Sequence, residues 1–345
     1  MNPVLVQAWR GNAVESAHAG SVAVVDADGD VLVSLGDIDR PVFPRSAVKA
    51  LQALPLVASG AAERLGLTDD ELALACASHN GEPAHVRTAQ AMLAKAGVDA
   101  GALECGTHWP RLDEAARALA AGGETANPLH NNCSGKHAGF VCLACALHGG
   151  GLGLRDYVRG YVAAGHPVMR EVDAALQAAT GFDLAQAPRG TDGCSIPAYA
   201  IPLRRLALAF ARFGTGVGLS EGHTRAARRL RAAVAAAPFM VAGSGRFDTR
   251  VMQRLGERVF CKVGAEGVYC AALPERGLGV AIKIDDGNNA RAAEVVMAAA
   301  IEALVRLDDG EAAFMRSFSD VALRNCNGLE VGRLAASPAL RAELI

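Results

Sequence analysis

The chain has 345 residues, 51% of them hydrophobic and 20% charged, with a formal net charge of −2 at pH 7. That is ample apolar material for a large core, in two domains or in one domain with a large insertion. The charges are mixed without a basic stripe, no window reaches the ~18 apolar residues of a bilayer span, and MNPVLVQAWRGNAVES lacks the layout of a secretory signal, so the expectation is a soluble cytoplasmic protein with no nucleic acid or membrane as partner.

In chain order, SVAVVDADGDVLVSLG reads as strand, turn at Asp28-Gly29-Asp30, and strand. FPRSAVKALQAL follows and places Ser46 and Lys49 three residues apart at the start of an apolar helix. Such residues share a helix face. A serine in the first turn feels the positive end of the helix dipole, and a desolvated lysine one turn on can be neutral and take its proton. The plain alternative is Ser46 as an N-cap. Thr68 with Glu71 has capping-box spacing, and Pro83 suits a first helical position. In the polar break between these two helical segments, CASHNGE supplies Ser78-His79-Asn80.

Helical patterns continue over 111–121, 134–148, 167–180, 198–212, 220–236 and 290–307. The stretch HNNCSGKHAGF opens one of them. It is not a Walker A loop, because the earlier glycine and the Ser or Thr after Gly-Lys are missing. Ser134 as an N-cap is one reading. A metal site is another, but it needs more than Cys133, and the turn-rich loop RGTDGCSIP offers Cys194 two residues after Asp192. Cys142 and Cys145 form a CxxC in mid-helix with no second pair at zinc spacing, and most of the nine cysteines read as small buried hydrophobes in a reducing compartment.

The last third carries RVFCKVG, GVYCAALP and LGVAIKID, each closed by Gly or Pro, with Lys262-Val263-Gly264 at the end of the first. Strands at both ends around a helical middle predict an α/β chain of the α+β type. Its mixed, mostly antiparallel sheet would come from about 1–45 and 257–345 and be flanked by helices, with an inserted helical lobe at about 46–256, the whole being a single catalytic unit. The order S-x-x-K, S-x-N, K-x-G is that of serine β-lactamases and penicillin-binding proteins, in which a serine attacks an amide and lysines move protons.

Longer motifs are more specific. RGNAVESAHAG, PRSAVKALQALPL, SHNGEP, HNNCSGKHAGF, GTDGCSIP and MVAGSGRFDT, in this order, resemble the rhizobial-type L-asparaginases, the L-asparaginase II family, from about residue 5 to about 330. The resemblance implies a fold like serine β-lactamases and glutaminases, hydrolysis of L-asparagine to L-aspartate and ammonia, and a homodimer. It implies two serine–lysine tandems, Ser46 with Lys49 and Ser78 with Lys262, with Ser46 the nucleophile and Arg45 beside it. It implies one zinc ion per chain held by Cys133, Lys136 and Cys194 with water completing the shell, and His137 and Asp192 facing the substrate. A lysine ligand must be neutral, since an ammonium has no lone pair. One departure is visible: Asp248 stands where some relatives carry a cysteine, which leaves the role of that loop open. Glutaminase or a β-lactamase-like acylase are the related alternatives. A non-catalytic zinc-stabilised binding protein is the alternative of another class, and it expects Lys49 and Lys262 to be solvated surface lysines.

Overall fold

The apolar runs at the two ends of the chain form one eight-stranded sheet in a computed structural model that describes residues 1–149 and 151–344. The strands are β1 (Val4–Arg10), β2 (Ala13–Asp26), β3 (Val31–Leu35), β4 (Phe260–Val263), β5 (Val268–Leu273), β6 (Leu278–Ile284), β7 (Asp320–Arg324) and β8 (Glu330–Ala336). Their order is β7-β8-β1-β2-β6-β5-β4, with β3 also paired to β2. The pairs β1–β8, β1–β2, β2–β6, β5–β6, β7–β8 and β2–β3 are antiparallel. Helix makes up 50% of the structure and strand 19%, so the mixed class and the mostly antiparallel sheet are as expected.

The chain falls into two compact units, one of Met1–Ala47, Ala200–Thr215 and Cys261–Ile345, the other of Val48–Tyr199 and Gly216–Phe260. The first is the sheet unit. Its β5 is buried at every residue and its β6 at all but one, which is why both read as continuous apolar runs rather than alternating ones. β7 lies at the sheet edge with no residue fully buried, so its apolar signal is weak and the sequence did not mark it as a strand. The DADGD turn closes as its composition requires: Asp26 Oδ1 accepts from the backbone N–H of Asp28, Gly29 and Asp30 at 2.9–3.0 Å, and Gly29 takes φ +103°.

The helix expected over 198–212 runs instead over Leu203–Thr215. Pro202 has no N–H to give a helix interior, so the helix starts after it. Pro197–Tyr199 and Ile201–Pro202 form short strands that pair with Arg189–Thr191 and Pro41–Val42. That helix lies so close to β6 that a Cβ at Gly279 would sit 1.9 Å from the Ala207 carbonyl oxygen. Only glycine permits the approach.

The second unit is helical and built on the helix Ser134–His148, in which residues 134–144 are all buried. A helix apolar on every side belongs in the middle of a bundle, and the helices Asp69–Ala75, Pro83–Lys95 and Pro167–Thr180 pack around it. At the first crossing a Cβ on Gly135 would lie 2.3 Å from the Leu74 carbonyl oxygen. The capping box forms: Thr68 Oγ1 accepts from Glu71 N–H at 3.4 Å, and Glu71 Oε2 accepts from Thr68 N–H at 2.7 Å. Pro83 is the first residue of its helix. Among the described residues no helix is long and apolar enough to cross a membrane.

Candidate active site

The helical unit gathers chemistry around a short extended segment. After the helix Asp69–Ala75 ends, Ser78 N–H donates to Val241 O (2.8 Å), His79 N–H to Asn132 O (3.2 Å) and Asn80 N–H to Ala242 O (2.9 Å). SHN is thereby held between the segment that opens the Ser134–His148 helix and the one that leads into GSGRFDT. Side chains reinforce both flanks. Asn80 Nδ2 donates to Ser244 O and Glu82 Oε1, Arg246 donates to Asn80 Oδ1 at 3.2 Å, and Glu82 accepts from the Ser244 N–H and hydroxyl. His79 and Ser134 form a satisfied chain: His79 Nδ1 accepts from Gly81 N–H, Nε2 donates to Ser134 Oγ at 3.0 Å, and that hydroxyl donates to Leu129 O. Ser134 is therefore the first helical residue tied backward to Leu129, and no side chain caps this helix.

Onto this frame the structure brings Lys49, Ser78, Cys133, Lys136 and Cys194. Lys49, 1% exposed, donates from Nζ to Ala77 O (2.6 Å), Ser78 Oγ (2.9 Å) and Cys133 Sγ (3.1 Å). Burial pushes its amine below the ordinary lysine value, aided by the charge of Lys136 and opposed by the two cysteines. Lys136, also buried, donates to Cys194 Sγ at 2.9 Å and lies over the Phe140 ring. Burial works against its charge, but the neighbouring thiols outweigh this and hold it above the usual value. Cys133 is held well below the usual thiol range by a hydrogen bond from Cys194, with Lys49 and Lys136 adding to it, whereas Cys194, as that bond's donor, is pushed up. Two buried lysine amines thus face a pair of cysteines, one held low and the other pushed up.

The Cys133–Lys136–Cys194 set fits a soft divalent metal in the chemistry of its donors. It offers two sulfurs and one nitrogen, which suit zinc with a fourth position open. Zinc bond lengths of about 2.3 Å to sulfur and 2.0–2.1 Å to nitrogen put tetrahedral S and N ligands about 3.5 Å apart. The 2.9 Å contact of Lys136 with Cys194 is instead a hydrogen bond, so a metal would take the place of the lysine's proton. Among the described residues no group of three or more His, Cys, Asp or Glu could hold a metal ion. The present set, with its lysine, is of another kind.

His137 is fully buried beside these cations, and burial together with Lys136 and Lys49 pushes its pKa well below the ordinary imidazole range. Its Nδ1 lies 2.6 Å from Tyr161 Oη. Asp192 is half-buried in the turn of a short hairpin, accepting from Gly193 N–H at 2.9 Å and from Cys194 Sγ at 3.6 Å. Ser195 closes that turn with φ +75°.

The remaining residues predicted for the site belong to the sheet unit. Ser46 is half-buried in the 3₁₀ turn Arg45–Val48, which runs into the helix Lys49–Gln52. Arg45 has φ +52°, unusual for a residue with a side chain, and such strain collects at functional positions. Lys262 is buried in β4 and donates to Val263 O at 2.8 Å. Asp248 is buried in the first turn of the helix Phe247–Leu255, in the helical unit. Sequence reasoning missed Tyr161 and left Arg246 without a role. Arg246 stands inside a quoted motif, but nothing around Tyr161 in RGYVAAG signals a site.

The sequence profile of the L-asparaginase II family matches residues 6–336. No curated protein matches the chain. Among solved structures, a crystal structure of Mglu is similar at 16% identity and TM-score 0.36, covering 79% of this chain and 64% of that one. Mglu in its native form gives 16% and 0.35 over 85% and 66%, and Mglu in its glutamate form 15% and 0.34 over 85% and 63%. The chain spans less than two thirds of the length of each.

Proposed function

The chain belongs to the L-asparaginase II family, and from that premise we propose that it is an amidohydrolase that converts L-asparagine to L-aspartate and ammonia through a serine acyl-enzyme. The observation that carries the reading is Lys49, a fully buried amine bonded to Ser78 Oγ at 2.9 Å and drawn below its usual pKa. A lysine in that condition is suited to general-base work and poorly suited to being a solvated surface group. Lys262 is buried too, against the expectation of a non-catalytic binding protein.

In the proposed reaction Ser46 is the nucleophile and Lys49 its base. The Ser46 Oγ–C bond forms as Lys49 takes the hydroxyl proton. The C–N bond of the side-chain amide then breaks, and the proton leaves with ammonia. Water attacks the resulting β-aspartyl ester, and the Ser46 hydroxyl is restored. Ser78 and Lys262 form the second tandem, which relays protons and keeps Lys49 neutral. Asp192 pairs with the α-ammonium of the substrate and Arg45 with its α-carboxylate. Backbone N–H groups in the turn after Ser46 serve as oxyanion donors, typically worth about 3 kcal/mol each. Cys133, Lys136 and Cys194 are the residues that would hold zinc, which when bound supplies a Lewis acid and a fixed positive charge beside the substrate. Preference for asparagine over glutamine rests on one methylene, about 1–3 kcal/mol in a fitted pocket.

The test is ammonia release from L-asparagine by the purified protein, with Ser46→Ala folded but nearly inactive. Full activity in that variant refutes the nucleophile assignment.

A further inference from the structure

We propose that Tyr161 is a positioning residue for this site: its hydroxyl fixes His137 as the Nε2–H tautomer and presents that N–H as a hydrogen-bond donor to an acceptor oxygen of the bound amino acid. The inference rests on the asparaginase reading for the identity of the ligand. The tautomer itself follows from the hydrogen bonds alone.

Tyr161 has 0% exposure, and its Oη has two neighbours. Glu104 N–H lies at 3.0 Å and can only donate. His137 Nδ1 lies at 2.6 Å. The phenol has one proton, and among the described residues Nδ1 is its one acceptor. Nδ1 therefore carries a lone pair, and the proton of the neutral ring is on Nε2. Were Nδ1 protonated, Oη would face two donors and its own proton would have no acceptor in a dry site. The arrangement is braced from behind, because Glu104 Oε1 accepts the N–H of Gly160, the residue before Tyr161, at 2.7 Å. Phe140 and Tyr161 hold the imidazole between tilted rings at 5.6 and 5.5 Å.

The other end of the ring is what needs explaining. His137 Nε2 is buried and has no hydrogen-bond partner among the described residues. A buried orphan donor is uncommon and marks a place where something else binds. Lys136 precedes His137 in the chain, and its amine donates to Cys194 Sγ within the same cluster. A group that satisfies an N–H in this lysine-rich cluster is an electron-rich oxygen, such as a carboxylate or amide oxygen of asparagine or aspartate. A cation or an apolar group would leave the N–H unpaired.

The experiment uses full-length protein labelled with ¹⁵N-histidine, with His137 assigned through His137→Gln. Long-range ¹H–¹⁵N correlation should show Nδ1 bare and Nε2 protonated. Protonated Nδ1 overturns the proposal, whether or not the protein hydrolyses asparagine. Saturating L-aspartate should shift the Nε2–H resonance, and an unmoved resonance overturns the donor role. Tyr161→Phe should release the tautomer preference and raise KM for asparagine about tenfold with a smaller change in kcat. An unchanged tautomer in that variant contradicts the role of the hydroxyl. If Tyr161→Phe does not fold, the measurements on the unaltered protein still decide. If no ammonia is released at all, the asparaginase reading falls and the tautomer result stands separately.

Discussion

Replacing Lys49 by methionine separates a base from a structural lysine. The substitution removes the contacts with Ala77 O, Ser78 Oγ and Cys133 Sγ, and hydrogen bonds of this kind contribute about 0.5–1.5 kcal/mol each. It also removes an amine whose polar group is costly to bury, and an apolar side chain of similar length refills the space. The lost hydrogen bonds are offset by the relieved desolvation and by the new packing, so the net change in stability should stay within about 2 kcal/mol. Turnover should fall about 10²–10⁴-fold, the usual contribution of general-base catalysis, equal to about 3–5.5 kcal/mol in the barrier. Lys49→Arg should lose as much, because a guanidinium keeps the charge but cannot give up its proton. Chemical denaturation gives the first quantity and an ammonia assay the second. Turnover within tenfold of the unaltered protein in either variant would falsify the base assignment. A loss of stability beyond about 4 kcal/mol, with activity tracking only the folded fraction, would make Lys49 a structural lysine.

Protein purified without chelator should carry about one zinc per chain by elemental analysis, and Cys133→Ser with Cys194→Ser should abolish it. Affinity should weaken as pH falls, because protons compete for both sulfurs and for Lys136, and metal retained by the double variant would exclude this ligand set. Gly279→Ala puts a methyl group 1.9 Å from Ala207 O, so calorimetry should find it destabilised by about 2 kcal/mol or more, and an unchanged Tm would show that the helix Leu203–Thr215 yields without cost. Under a thiol reagent at pH 8 the exposed Cys326 should react first. Cys105, buried and pushed up to about 12, should stay silent until the protein unfolds, so early labelling there on peptide mapping would contradict its burial.

Much of this was legible because local chemistry and tertiary placement agreed. The Thr68–Glu71 box, Pro83 at a helix start and the Asp28-Gly29-Asp30 turn are decided within a few residues, and each forms as read. The apolar runs of β5 and β6 signalled burial on both faces. What escaped depends on distant partners. β7 lies exposed at the edge, and β8, which it pairs with, is placed by β1, more than 300 residues away in sequence. The segment 198–202 resembled the start of a helix until its pairing with residues 41–42 and 189–191 was seen. In the site, the lysines and cysteines stood out by residue type and motif. The convergence of Lys49 on Ser78 and Cys133, and of Lys136 on Cys194, is a product of folding that no spacing rule gives. Tyr161 was invisible for the same reason: its role lies in one hydroxyl meeting one ring nitrogen across 24 residues.

The most direct measurement is ammonia release by the purified, metal-replete protein offered L-asparagine and, separately, L-glutamine, with Ser46→Ala as the parallel control. The account predicts turnover of asparagine exceeding that of glutamine and abolished by the substitution. Absence of release from either amide by folded, zinc-loaded protein, or undiminished release by Ser46→Ala, would contradict it.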